Sequence, residues 1–228
     1  MKTLLIILFF VRIILANNQV DSLVNLLECE DFKLKYKTEE IEEILRNLAK
    51  VDNNAAHGAI IRFGKQSNLY HRLAIEILQK NRVRGAGEIA SAFYDELDLF
   101  DWKTISMPMR LFRDSMLVDV AFRTMLESKD EEIKHWASLY YANTATLNEC
   151  LRAYRYIGSA TGALWRNLMV AISRFHEETL DSVLSQELSV FNNEHLDYVL
   201  LRMGDFNRYD MLPELFSLKT KLKIKSTR

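Results

Sequence analysis

The 228-residue sequence contains few residues that interrupt regular structure, with only seven glycines and two prolines. This scarcity argues against folds that need many tight turns, such as β-sandwiches and β-barrels, and against a collagen-like rod. It favours long helices joined by short loops. Hydrophobic residues make up 49% of the chain, which is enough to bury the core of one globular domain over residues 17–228.

Charge of one sign is not in excess either, since 30 Lys and Arg residues face 31 Asp and Glu residues. A chain with this balance has no general attraction for nucleic acid, because such binding requires a basic surface. Nucleic acid is therefore not expected among its partners.

Long apolar runs are limited to the N-terminus. Lys2 gives a positive start, residues 4–10 are continuously apolar, and Ala16 precedes a polar segment. The run is too short to span a bilayer of roughly 30 Å as a helix, so residues 1–16 are predicted to be a signal peptide. This predicts a secreted, extracellular protein with no stable membrane insertion after signal removal. Arg12 interrupts the run and leaves an uncleaved anchor or an internal core helix as alternatives.

Only two cysteines are present, Cys29 and Cys150. In an oxidising compartment they could form one disulfide that closes a long loop and stabilises the fold by about 3 to 5 kcal/mol. Alternatively, both are buried free thiols, because a domain of this size does not need a covalent staple. The residues alone leave both alternatives open.

Apolar residues recur at helical spacing along most of the sequence. Ile41, Ile44, Leu45 and Leu48 fall at i, i+3, i+4 and i+7, which predicts an amphipathic helix. Asp130 is followed by two glutamates, a pattern that is typical of a helix N-terminus. No segment is predicted to be a strand. We therefore predict an all-α fold of stacked antiparallel helical hairpins, either a HEAT-like α-solenoid or an irregular bundle.

Two segments resemble functional motifs but lack decisive features. His176 and Glu177 begin like the HExxH helix of zinc metallopeptidases, but Leu180 occupies the position of the second histidine. Residues 85–90 match the GxGxxA pattern of dinucleotide-binding folds. Because residues 73–80 before them are predicted to be helical and not a strand, this segment is predicted to be a turn between helices. Catalytic residues, metal ligands and a cofactor are therefore not predicted.

One concentration of arginine and aromatic residues has binding chemistry. Guanidinium groups and aromatic rings together can hold a carboxylate or stack on a flat ligand. The predicted binding surface consists of Tyr141, Arg152, Arg155, Tyr156, Trp165 and Arg166. The alternative is that the aromatic residues fill helix interfaces in the core, while the arginines lie solvated along them.

The same region resembles a known family. From Arg123 and Thr124, the sequence continues through an acidic pair and Trp136 to a Tyr-Ala-Asn-Thr segment, and then to Glu149 and an Ile-Gly-Ser turn. This order and spacing is similar to the C-terminal helical domain of aminopeptidase N-type zinc metallopeptidases. With looser similarity on both sides, the resemblance covers residues 68–209.

The resemblance implies HEAT-like or armadillo-like helical hairpins without the catalytic domain. In that family, zinc is bound by HExxH and a distant glutamate, and a Gly-x-Met-Glu-Asn segment binds the amino terminus of the substrate. Neither motif occurs in this sequence. The resemblance therefore implies no catalytic or metal-binding residue in this chain.

Together these observations predict a secreted, non-catalytic protein that binds a peptide or a protein partner, and a catalytic aminopeptidase is one such partner. Two alternatives remain open. In the first, the chain acts as a fragment or accessory of an active aminopeptidase. In the second, its 12 Phe, 9 Tyr and 8 Met residues line a cavity that carries an apolar small molecule.

Overall fold

The computed structural model describes residues 19–29, 36–66, 68–106, 112–190, 196–211 and 213. All regular secondary structure in these residues is helical, so the predicted all-α class is confirmed. The chain divides into two compact units, whose boundary lies between Val120 and Ala121. The single domain predicted over 17–228 therefore contains two units. The arrangement as stacked hairpins stays a prediction.

The first unit is formed by the helices that precede this boundary. Residues 19–27 are helix α1. The following helices are α2 (Thr38–Ala49), α3 (Asn54–Lys65), α4 (His71–Lys80), α5 (Ala86–Ala92) and α6 (Leu99–Ser106), with a 3₁₀ turn at Tyr94–Glu96. Helix α3 packs against α2, α4 and α5, and α4 also packs against α5 and α6. Helix α7 (Ser115–Glu127) then crosses the boundary.

Apolar residues at helical spacing place the core of the first unit between these helices. Ile41, Leu45 and Leu48 of α2 are fully buried, as their spacing predicts. Close packing also depends on a small residue in α3. A Cβ atom at Gly64 would lie 2.6 Å from the Cδ1 atom of Ile89 in α5 and 2.9 Å from the Cβ atom of Ala74 in α4, so a larger residue there would crowd the contact of α3 with these two helices.

The second unit is arranged around one buried helix. Its helices are α8 (Glu131–Thr144), α9 (Leu147–Ala153), α10 (Gly162–Ser173), α11 (Glu178–Val190) and α12 (Leu196–Asp205), with 3₁₀ turns at Tyr154–Ser159 and Tyr209–Met211. Helix α10 packs against α8, α9, α11 and α12, and residues 167–173 are all buried. Asn167 Nδ2 donates to the hydroxyl of Ser138 at 2.8 Å, so the contact between α10 and α8 satisfies its buried polar groups.

Local sequence determines where the helices of this unit begin. The side chain of Asp130 accepts hydrogen bonds from the amides of Glu132 and Ile133, at 2.8 and 3.1 Å, so the predicted helix start is confirmed. Thr146 and Glu149 form a capping box at the start of α9. These caps fix the two helices that surround the candidate site.

Candidate binding site

Three of the six predicted site residues surround one aromatic ring, that of Phe122 in α7. The guanidinium carbon of Arg152, in α9, lies 4.5 Å from the centroid of this ring, which is within the range of a cation–π interaction. The ring of Tyr156 meets it edge-on, with 5.9 Å between centroids. The ring of Tyr141, in α8, lies 5.6 Å away in a tilted orientation. The structure therefore brings these side chains together.

The exposed part of this cluster carries two arginines. Arg152 and Arg155 are exposed, whereas Phe122 and Tyr156 are half-buried. Arg155 Nε donates to the backbone oxygen of Arg152 at 3.1 Å, which ties the 3₁₀ turn to the end of α9. We refer to Phe122, Arg152, Arg155 and Tyr156 as the arginine patch.

Tyr141 supports the patch from the core. Its side chain is fully buried, and its hydroxyl donates to the backbone oxygen of Glu149 at 2.6 Å. This hydrogen bond ties α8 to α9 beneath Arg152. The prediction that Tyr141 lies on a binding surface is therefore corrected, because a fully buried ring belongs to the core.

The remaining two predicted residues, in α10, have other neighbours. Trp165 is 1% exposed, and its Nε1 donates to a carboxylate oxygen of Glu187 at 3.0 Å, so it also is a core residue and not a surface residue. The guanidinium carbon of Arg166 lies 5.0 Å from the centroid of the Tyr198 ring. Its Nη2 donates to Nδ1 of His135 at 3.1 Å. The predicted surface thus divides into the arginine patch, a separate Arg166 cluster and two core aromatic residues.

The two cysteines have opposite environments. Cys29 is exposed, Cys150 is buried, and both are free thiols in the structure. Burial raises the pKa of the Cys150 thiol to about 12, an effect that the nearby charge of Arg174 only partly opposes. The Cys150 Sγ donates to the backbone oxygen of Ala171 at 3.6 Å. Cys150 is therefore an unreactive part of the core.

The incomplete HExxH segment acts as a helix cap. Glu177 precedes α11, and its carboxylate accepts a hydrogen bond from the backbone amide of Leu180 at 3.0 Å. This bond lowers the pKa of Glu177 and outweighs the small opposing effect of desolvation. Among the described residues, no three His, Cys, Asp or Glu side chains are grouped so that they could hold a metal ion.

The glycine-rich segment 85–90 holds a carboxylate of the chain itself. Gly85 has a φ of +123° and precedes α5, and α4 lies before it, so the predicted turn between helices is confirmed. The buried carboxylate of Asp114 accepts from the amides of Gly85 and Gly87 at 2.8 and 3.3 Å. The same side chain accepts from the amide of Leu117 in the first turn of α7. The backbone donors that would bind a pyrophosphate in a dinucleotide fold are thus used internally.

A buried charge network in the first unit was not predicted from the sequence. Asp101 is 2% exposed, and it accepts from Arg72 Nε at 2.7 Å and from the amide of Asp98 at 3.0 Å. The side chain of Asp98 in turn accepts from the amide of Asp101, which completes a reciprocal cap at the start of α6. The network joins α4 to α6. Because its hydrogen bonds hold these helices together, we interpret it as a structural element.

No protein-family model, curated protein or solved structure matches this chain. The similarity of residues 68–209 to the aminopeptidase C-terminal domain therefore stays a prediction made from the residues. Within the described ranges, none of the helices has both the length and the apolar composition required to cross a bilayer.

Proposed function

We propose that this chain is a secreted, non-catalytic helical protein that binds a peptide or protein partner through the arginine patch. The stacking of Arg152 on Phe122 is the observation that carries the proposal. Arg and Tyr are enriched among the residues that dominate binding energy at interfaces. The arginine patch combines both residue types on a surface that is partly open to solvent.

The chemistry of the patch favours a partner with carboxylate groups. Exposed guanidinium groups, such as those of Arg152 and Arg155, bind carboxylates through paired, charge-assisted hydrogen bonds. The contact with Phe122 restricts Arg152 before binding, so less conformational entropy has to be lost when a partner arrives. The half-buried rings provide apolar area next to the charges. An acidic segment that also carries an aromatic or aliphatic side chain therefore fits best.

The proposal includes a catalytic aminopeptidase among the partners, in line with the resemblance of residues 68–209. Glu177 is engaged as the cap of α11, and this supports a role without metallopeptidase chemistry. Export depends on the signal peptide predicted at residues 1–16, which lies outside the described residues.

A selection from a random peptide library on the purified chain tests this proposal. We expect the enriched peptides to be rich in Asp and Glu and to contain aromatic residues. Their affinity should fall by about tenfold or more for the double variant Arg152→Ala/Arg155→Ala, because charge-assisted hydrogen bonds are lost. The matched control is Arg123→Ala, which removes an exposed arginine of α7 that pairs with Glu127 at 3.9 Å.

Two results would contradict the binding part of the proposal. One is the enrichment of basic or uncharged peptides. The other is an equal loss of affinity in the double variant and in the Arg123 control, since this would show a general charge effect without a defined site. Zinc-dependent release of amino acids from peptides by the purified chain would refute its non-catalytic part.

A further inference from the structure

A cleft of about 540 Å³ lies in the first unit, at the end where the loop between α2 and α3 meets the loop between α4 and α5. This volume falls in the range of roughly 300 to 1,000 Å³ that is typical of small-molecule sites. Part of its wall is apolar, with Ile61 and Val83 among the lining residues. The cleft is thus large enough for an organic group and offers that group an apolar contact.

The charges that line the cleft are mainly positive. Lys50, Arg82 and Arg84 line it, and all three are exposed, against the single carboxylate of Asp52. Within the described residues, no carboxylate forms an ion pair with any of these three cations. Their charge is therefore available for an anion from outside the chain.

A histidine and a helix N-terminus also line the cleft. His57 lines the cleft, and its Nε2 atom is buried without a hydrogen-bond partner among the described residues. Buried polar atoms of this kind are rare in folded proteins, because each one costs desolvation energy. Asn54, the first residue of α3, also lines the cleft, so the positive end of this helix dipole is at the site.

Arg82 has a backbone conformation that normally selects glycine. Its φ is +58°, and it follows α4 in a Schellman motif. The amide of Val83 donates to the backbone oxygen of Leu78 at 2.9 Å, and the amide of Arg82 donates to the backbone oxygen of Gln79 at 3.1 Å. An arginine pays a steric cost at this position that glycine does not. Replacement of Arg82 by glycine therefore removes this steric cost.

From these observations we infer that the cleft binds a small organic dianion, a phosphate monoester, whose phosphate lies between Arg82, Arg84 and Lys50 and whose organic part contacts the apolar wall. Two arginines and a lysine suit a doubly charged group better than a single carboxylate. This site is independent of the arginine patch, since each lies within a different unit.

Phenyl phosphate is the probe that tests the inference, in an NMR titration of the full chain labelled with ¹⁵N. We expect saturable shifts of the amide signals of residues 50–58 and 81–84. Inorganic phosphate should bind more weakly, because it lacks the apolar ring, and phenol should not bind, because it lacks the charge. Raised salt should weaken the binding of phenyl phosphate.

The decisive variant is Arg82→Gly, which removes a cation and relieves the backbone at the same time. We expect its midpoint of urea unfolding to rise while its affinity for phenyl phosphate falls by about tenfold or more. Loss of binding in this variant then cannot result from a loss of folding. Arg46→Gln on α2 is the matched control, since it removes a cation of the same unit that pairs with Glu42 and does not line the cleft.

Either of two results would overturn the inference. The first is the absence of shifts in residues 50–58 and 81–84 at 10 mM phenyl phosphate, a concentration of about ten times a weak Kd of about 1 mM. The second is an equal loss of affinity in Arg82→Gly and Arg46→Gln. That second result would show that phenyl phosphate responds only to the general positive charge and to the helix dipoles of the unit, and not to a defined site.

Discussion

Arg208 is a charged residue in the interior of the second unit, with 2% of its surface exposed. Its guanidinium donates to the backbone oxygens of Ser173 and Phe175 at 3.3 and 2.9 Å, and to the carboxylates of Asp181 and Asp210. It therefore ties the end of α10 to α11 and to the segment after α12. Burial opposes its charge, but the hydrogen bonds to the two carboxylates outweigh this effect and raise the pKa of Arg208.

Replacement of Arg208 by methionine should lower the free energy of unfolding by about 3 kcal/mol, because buried carbonyls and two carboxylates lose their partner. Urea titration followed by circular dichroism measures the change. In the control Arg123→Met, on the exposed side of α7, the change should stay within about 0.5 kcal/mol. Equal effects in the two variants would show that the Arg208 network does not stabilise the unit.

The backbone of Arg82 leads to a stabilising substitution. Arg82→Gly should raise the free energy of unfolding by about 1 kcal/mol, since glycine adopts a positive φ without steric cost. Asn207 provides the comparison: it has a φ of +57° in the equivalent position after α12. Because asparagine tolerates this conformation better than arginine, Asn207→Gly should give a smaller gain. A loss of stability in Arg82→Gly would contradict this account of the turn.

The different environments of the two cysteines predict their reactivity. In the native chain at pH 8, one thiol should react with Ellman's reagent, because Cys29 is exposed whereas the Cys150 thiol is buried with a pKa of about 12. In urea, both thiols should react. If neither reacts in urea without a reductant, the thiols are oxidised, and the alternative of a disulfide between them gains support.

The junction between α5 and α7 depends on a glycine. A Cβ atom at Gly87 would overlap the backbone nitrogen of Leu117 and lie 2.7 Å from a carboxylate oxygen of Asp114. Gly87→Ala should therefore lower the free energy of unfolding by about 2 kcal/mol. Gly204 in α12 has open space around its Cα, so Gly204→Ala should raise it by about 0.5 to 1 kcal/mol through helix propensity. If both substitutions change the free energy of unfolding in the same direction, the proposed packing is contradicted.

How well an element could be predicted depends on whether its signals are local. The start of α8 was predictable, because Asp130 caps amides only two and three residues away. Helix α6 was not predicted, because the burial of its residues is the reverse of what their polarity indicates. The apolar Phe100 is 64% exposed, whereas the charged Asp101 is buried. The position of Asp101 depends on Arg72, which lies 29 residues earlier in the chain. A pattern confined to α6 could not show this partner.

The candidate site was predictable only in part, because its contacts join residues that are distant in the sequence. The sequence identified Arg152 and Tyr156 by their type, but it missed Phe122, the ring that brings them together. It also placed Tyr141 and Trp165 on the surface, because helical spacing alone does not show which face of a helix is covered by another helix. The alternative in which aromatic residues fill the core is correct for these two residues.

Each of the two units contains a carboxylate whose pKa lies below its ordinary value of 3.8. For Asp101, burial acts to raise the pKa, but hydrogen bonds from Arg72 and from the Asp98 amide, with the charge of Arg72, lower it overall. For Asp210, the hydrogen bond from Arg208 is the main cause of the lowering. Both units therefore gain stability from ionised carboxylates.

These pKa values predict a loss of stability in acid. Because both folded-state values are lower than the unfolded-state values, the stabilisation is complete above about pH 4 and is lost as the pH falls through the folded-state values. Urea titrations at pH 6 and pH 3 measure this loss. In Asp210→Asn, the difference between the two pH values should be smaller than in the natural chain. An unchanged difference would show that Asp210 does not contribute.

The most direct test of the proposed function is the affinity of one acidic peptide, taken from the library selection, for three forms of the chain. We expect the natural chain and Arg123→Ala to bind it equally, and Arg152→Ala/Arg155→Ala to bind about tenfold or more weakly. An analogue of the peptide with Gln and Asn in place of Glu and Asp should bind more weakly than the acidic peptide to the natural chain and to Arg123→Ala. Its affinity for the double variant should equal that of the acidic peptide. Binding that is equal in all three forms would contradict the account, because the arginine patch would then not be the site.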